Sequence, residues 1–223
     1  MFNPTKTLLL SSVFTCAMVG GSASAMIITT DQLQFIDPPD SVLPGQLESN
    51  DVFYMFREQE NLLLNSDLAV NFDSPGTYNQ VPGPIGVIAA GNTINSYLVH
   101  VDPLGSNAPS TVYIGGATFS PEEEILGLIA GSNLLTVTDS LLGIDADNFY
   151  PTGRFRGTAE DQEFVSFSGN TFSMTATSVG NGIDQLRVIT RSVPSSTEVP
   201  EPASLMLLGL GLGLLGLRRR RWI

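Results

Sequence analysis

Between residues 52 and 190, apolar and polar positions alternate in short runs. In 171–177, Phe172, Met174 and Ala176 fall on one side of an extended chain, and Thr171, Ser173, Thr175 and Thr177 fall on the other. A period of two marks a strand with one buried face. Apolar or alternating runs at 52–57, 62–72, 94–102, 111–119, 134–138, 163–167 and 183–190 are predicted to be strands as well. Turn-forming clusters separate them, at 73–76 (D-S-P-G), 82–84 (P-G-P), 102–105, 115–116, 168–170 and 180–182. The helix candidate is 121–130, with Ser120 as cap and Glu122 to Glu124 at the positive end of the dipole. Ile125, Leu126, Gly127, Leu128 and Ile129 also read as a buried strand after an acidic turn, which is the preferred reading. The expected fold is all-β, a single antiparallel β-sandwich of jelly-roll type over residues 26–190.

Both ends of the chain break the alternation. Residues 205–217 are apolar throughout. As a helix extended back to Ala203 they would cover about 22 Å, short of a hydrocarbon core of roughly 30 Å. Arg218, Arg219, Arg220 and Arg221 can snorkel to make up the difference. Such a cluster stays on the cytoplasmic side, which places everything before Pro202 outside it. Residues 203–223 are therefore predicted to be a single transmembrane helix with a membrane-stop cluster. The preceding linker, 191–202, is rich in Ser and Pro, and Pro200 and Pro202 hold Val199 and Glu201 extended and exposed. At the other end, Lys6, the apolar run 8–19 and the Ala23, Ser24, Ala25 triplet have the order of a cleavable signal peptide over 1–25. Cys16 lies inside that run behind Thr15, a poor match for the small residue that precedes a lipidated cysteine.

The segment V-P-E-P-A-S at 199–204, then the Gly/Leu run, then the four arginines, resembles the PEP-CTERM sorting signal of Gram-negative bacteria. The resemblance implies recognition by an exosortase, a membrane transpeptidase-like enzyme. It also implies export through the inner membrane, a membrane-anchored intermediate, removal of the helix, and delivery to the cell surface or an extracellular polysaccharide matrix. A second resemblance joins S-Y-L-V-H-V-D-P at 96–103, I-L-G at 125–127, Arg156 with Gly157, and D-Q-L-R-V-I-T at 184–190. This set is similar to one recurring in PEP-CTERM exoproteins of unknown function, and implies a shared β fold without an activity. Residues 211–216 satisfy G-x-G-x-x-G, but no strand precedes them and the chain turns to arginines at once. A dinucleotide site is excluded there.

Setting the signal and tail apart changes the charge. All 22 acidic residues lie within 31–201, against five arginines and no lysine, which leaves that segment at −17. Such a surface repels nucleic acid, so nucleic acid is excluded as a partner. Removal of Cys16 with the signal also removes thiol catalysis and Cys-ligated zinc. A domain of this length buries a core without disulfides.

Candidate chemistry is sparse. His100 is the only histidine and no G-x-S-x-G elbow exists, so a hydrogen-bonded structural histidine is expected rather than a triad base. Glu58 with Glu60, and Glu160 with Glu163, read as ordinary charges on strand edges or loops. Asp145, Asp147 and Asn148 offer the oxygens calcium accepts, although Tyr150 and Arg156 stand where an EF-hand needs Gly and Glu. Tyr150 and Arg154, in a Pro/Gly loop, are candidate glycan contacts, and Tyr54, Tyr78, Tyr97, Tyr113 and Phe149 are further rings for a sugar platform. No other cofactor is indicated. The expected function is that of a non-enzymatic exported surface or matrix protein with an exosortase as partner. A carbohydrate-binding module retained in exopolysaccharide is the alternative, and an exported hydrolase a remote one.

Overall fold

The computed structural model describes residues 27–80, 83–105, 111–144, 149–151, 156–158, 163–178 and 182–192. The expected signal peptide, the sorting motif, the transmembrane segment with its arginines, Asp145, Asp147, Asn148 and Arg154 all lie outside them. No helix among the described residues is long and apolar enough to cross a membrane.

Twelve strands and one helix are described: β1 (Ile28–Asp31), β2 (Leu33–Phe35), β3 (Phe53–Leu63), β4 (Leu68–Val70), β5 (Gly76–Tyr78), β6 (Gly86–Ile88), β7 (Thr93–Val101), β8 (Thr111–Thr118), β9 (Ile125–Ile129), α1 (Ser132–Leu142), β10 (Phe164–Ser168), β11 (Thr171–Ser178) and β12 (Asp184–Arg191). One five-stranded sheet runs β1-β8-β11-β10-β5, and a second runs β2-β3-β7-β12-β9. All these pairings are antiparallel except β2 with β3. The chain passes from the first sheet to the second at Asp31, whose φ of 54° turns it within one residue. An aspartate tolerates that left-handed geometry better than most side chains.

The two sheets face each other across the main core. Alternation sends Tyr97, Val99 and Val101 of β7 and Leu186 and Val188 of β12 inward, against Phe172, Met174 and Ala176 of β11. The intervening residues of β7 and β12 face the other way, which gives the second sheet a second buried face. There Phe56, Leu98 and Ile189 pack with Leu135 and Leu142 of α1 and with Leu68, Val70 and Ile88 of the β4 and β6 pair. The second sheet is therefore the middle layer of three. The first sheet has no such cover among the described residues, and Thr171, Ser173 and Phe164 on its outer face are exposed.

Most expected strands are present, and Ile125–Ile129 is a strand as preferred. Three assignments are corrected, the first being the expected turn at 115–116, which lies inside β8 with Gly115 and Gly116 paired to Met174 and Ser173. Residues 134–138 lie in the helix Ser132–Leu142 instead of a strand. The β-branched Thr136, Val137 and Thr138 suggest extension over five residues, but the wider pattern recurs at helical spacing, with Leu135 and Leu142 both buried. Residues 62–72 are not one strand, since β3 ends at Leu63 and β4 resumes at Leu68. Asp67 accepts the Ala90 amide at 2.9 Å within that interruption. In the other direction β3 runs on through Glu58, Gln59 and Glu60, with two irregularities in its pairing with β7.

Candidate functional site

The irregularity after Arg57 in β3 carries a carboxylate inward. Glu58 does not sit on an edge or loop as expected: its side chain has no exposure and faces α1. The register of β12 against β7 sets Arg187 opposite Leu98, on the same covered face. Arg187 Nε donates to Glu58 Oε2 at 2.6 Å and Nη2 donates to Oε1 at 2.8 Å, a bidentate pair. The same guanidinium reaches the helix, donating through Nη2 to Asp139 Oδ1 at 3.0 Å and through Nη1 to Thr138 Oγ1 at 2.7 Å. Arg156 pairs with the other oxygen of Asp139 and donates through Nε to Gln185 Oε1 at 2.7 Å. Ser96 Oγ and the Tyr150 hydroxyl complete the shell of Glu58 at 2.8 and 2.6 Å. Two arginines thus meet two carboxylates, and the cluster is neutral overall.

Two glycines make room for it. At Gly157 a Cβ would come within 2.2 Å of the Ala130 carbonyl, so only a bare backbone lets Arg156 enter beside β12. At Gly143, which ends α1, a Cβ would meet the Tyr150 ring at 2.5 Å. Tyr150 is therefore not a surface platform: it is 3% exposed, and its ring lies 5.2 Å from Arg156 Cζ and 5.7 Å from Arg187 Cζ. Guanidiniums occupy the position a stacked sugar would need. Burial, reinforced by Glu58, pushes the Tyr150 hydroxyl well above its ordinary pKa. Burial alone would lower that of Arg187, but Glu58 and Asp139 outweigh it and hold the guanidinium charged. Tyr97, Tyr113 and Phe149 are buried too, so these rings of the expected platform belong to the cores.

His100 adjoins the cluster through Gln185. Because Gln185 Oε1 accepts from Arg156, its amide nitrogen donates to His100 Nδ1, 3.0 Å away. The remaining ring proton sits on Nε2, which has no hydrogen-bond partner among the described residues. Burial, with Arg156 nearby, lowers the pKa of His100 to about 3, so the ring is neutral. A triad base needs a free acceptor nitrogen beside a nucleophile. The acceptor nitrogen here is already engaged by an amide.

A separate polar centre forms around Glu123, whose partner Asn95 directly precedes Ser96 on β7. Oε1 of Glu123, which is 1% exposed, accepts from Tyr97 Oη at 2.6 Å, Thr190 Oγ1 at 2.7 Å and Asn95 Nδ2 at 2.8 Å. The acidic turn before β9 therefore buries its middle residue as an anchor. Among the described residues, no three His, Cys, Asp or Glu side chains converge to hold a metal ion.

Sequence reasoning misses Glu58, Asp139 and Glu123 because a carboxylate's burial is not visible in its identity. The second resemblance does carry a signal: Ser96, His100, Arg156, Gln185 and Arg187 all come from its segments and meet in this cluster.

Residues 198–221 match the family model described as the PEP-CTERM protein-sorting motif. The match covers the C-terminal tail and none of the β domain. The chain thus carries the sorting signal of an exosortase substrate, which implies export and membrane-anchored processing on the way to the cell surface. No curated protein and no solved structure matches the chain.

Proposed function

We propose that this exosortase substrate is a non-enzymatic component of the cell surface or extracellular matrix, its β domain serving as a stable body delivered by the tail. The observation that carries this reading is the closed state of the cluster of Glu58, Asp139, Arg156 and Arg187. Its charges neutralise one another under a helix, whereas a catalytic centre keeps a titratable group accessible to substrate. His100 supports the same reading, being buried and committed to Gln185. A buried ion network contributes little net stability against a hydrophobic replacement, but it penalises any packing that separates its partners. Here it holds α1 on the middle sheet in one arrangement, a useful property for a protein that must persist outside the cell.

The reading is tested by deleting residues 198–221 and following the protein in its host. Loss from the surface and matrix fractions, with no hydrolytic turnover by the intact chain on glycan and ester panels, is the expected result. Turnover abolished by His100→Ala would contradict the non-enzymatic assignment. The alternative of a carbohydrate-binding module gains support from a different part of the molecule than Tyr150.

A further inference from the structure

Among the described residues, the outer face of the first sheet combines hydroxyls with an absence of charge. Strand register places Thr30, Gly116, Ser173, Ser166 and Thr77 in one row across all five strands. The next row holds Ile28, Thr118, Thr171 and Ser168. On the other side, Ile114, Thr175 and Phe164 form a third. No charged side chain occupies any of these positions, although residues 31–201 carry 22 acidic groups. An exposed antiparallel face is ordinarily the polar, charged one.

At the β5 edge this face sinks into an open groove of about 490 Å³ lined by Gly76, Thr77, Ser166, Ser168, Thr171 and Ser173, among others. The hollow is shallow and open, which suits an extended chain lying across it better than an enclosed small molecule. Its hydroxyls are paired across strands, Ser166 with Ser173 at 2.7 Å and, beside them, Thr118 with Thr171 at 3.0 Å. Each hydroxyl offers one donor and two acceptor positions. A bonded pair therefore keeps one donor and three acceptors free to face outward. Phe164, 47% exposed, lies outside the groove's lining but two residues from Ser166 on the same face, where it adds an apolar surface.

We infer that this groove binds a neutral polysaccharide. Sugar hydroxyls are likewise both donors and acceptors, and their C–H faces suit Phe164. A neutral polymer meets no charge to desolvate on this face, whereas an anionic one approaches a strongly acidic domain at a cost. A second copy of the chain is a poorer occupant. With the further row of Val112 and Thr177, five strands and four rows make a face on the order of 650 Å², still below the roughly 800 Å² per partner of a stable interface. The face also lacks the Trp, Tyr and Arg anchors that concentrate protein–protein affinity. Exchanging water for sugar hydroxyls gains little per contact, so retention comes from many sites along a polymer. This inference rests on the matrix reading only for where such a polymer would be met.

The test is affinity electrophoresis of the full chain in a zwitterionic, sugar-free detergent, through gels containing dextran, mixed-linkage β-glucan, galactomannan or anionic alginate. At least one neutral polymer should retard the chain, and alginate should not. Ser166→Ala with Ser173→Ala should weaken the retardation about tenfold, the loss of two modest hydrogen bonds, with the unfolding midpoint unchanged. Ser173→Glu should abolish it, and Val137→Ser on the exposed side of α1 should leave it intact. If Ser173→Glu does not fold, the alanine pair decides. The inference is overturned if no neutral polymer retards the chain, if alginate does so equally, or if the folded variants bind as the parent does. A dimer that Ser173→Glu dissociates would also overturn it, assigning the face to self-association. Cell fractionation plays no part in this assay, so it can fail while the surface assignment stands, and the reverse.

Discussion

The covered face of the middle sheet and the bare face of the first sheet invert the usual placement of charge. Under α1, where water is excluded, lie two arginines and two carboxylates. On the bare face, where charge would be cheapest, the rows carry Ser, Thr, aliphatic side chains and Phe164. Burying ions is costly unless every partner is present, so their use under the helix specifies geometry. Leaving hydroxyls exposed is inexpensive and preserves a surface that a neutral ligand can share. The contrast separates a part of the fold that sets its shape from a part that remains available.

Breaking the covered face should have the largest effect. Arg187→Ala strands Glu58 without its cation and should cost about 3–5 kcal/mol in urea unfolding, if the variant folds. Replacing Glu58, Arg187 and Tyr150 together by Leu, Met and Phe should recover more than half of that loss, because no unpaired ion then remains at that position. Acid should act next. The pKa of His100 is about 3 in the fold against about 6.5 unfolded, so the unfolded chain takes up the proton first. Stability conferred by the neutral ring is complete above pH 6.5 and falls as pH drops toward 3, by about 2 kcal/mol at pH 5. Asp102, whose pKa is raised by burial, acts in the opposite sense. The difference between the parent and His100→Gln across the same pH series isolates the histidine. Tyr150→Phe removes one hydrogen bond from Glu58 while leaving its bidentate arginine, and should cost about 1 kcal/mol. On the bare face, Ser166→Ala with Ser173→Ala should shift stability by no more than about 0.5 kcal/mol. A larger loss there would mean that those hydroxyls serve the fold.

The two regions also differ in how far they could be read from the residues. Thr171 to Thr177 announces the bare face outright, because strict alternation fixes which side chains point outward. The covered face is written less plainly. Leu134 to Thr138 mimics a strand over a short window, and only Leu142 restores the helical spacing. Glu58 and Asp139 look like any other acids, since their burial depends on Arg187 and Arg156, which are distant in the chain. Tyr150 and Arg154 share a loop-like sequence that suggests a surface site, yet the Tyr150 ring is held inside by Glu58 and two guanidiniums. Local pattern thus reveals exposure in a regular strand, whereas a long-range ion pair leaves little local trace. The tail is the most legible part, since its order of proline, apolar run and arginine is its message.

Whether the tail both sorts the β domain and releases it, as proposed, is decided by the intact mass of the native protein from separate membrane and matrix fractions. The expected species lies outside the membrane, begins near Met26 and ends near Pro200 or Glu201. A species that keeps Arg218 to Arg221 and stays wholly in the membrane fraction would contradict the proposal.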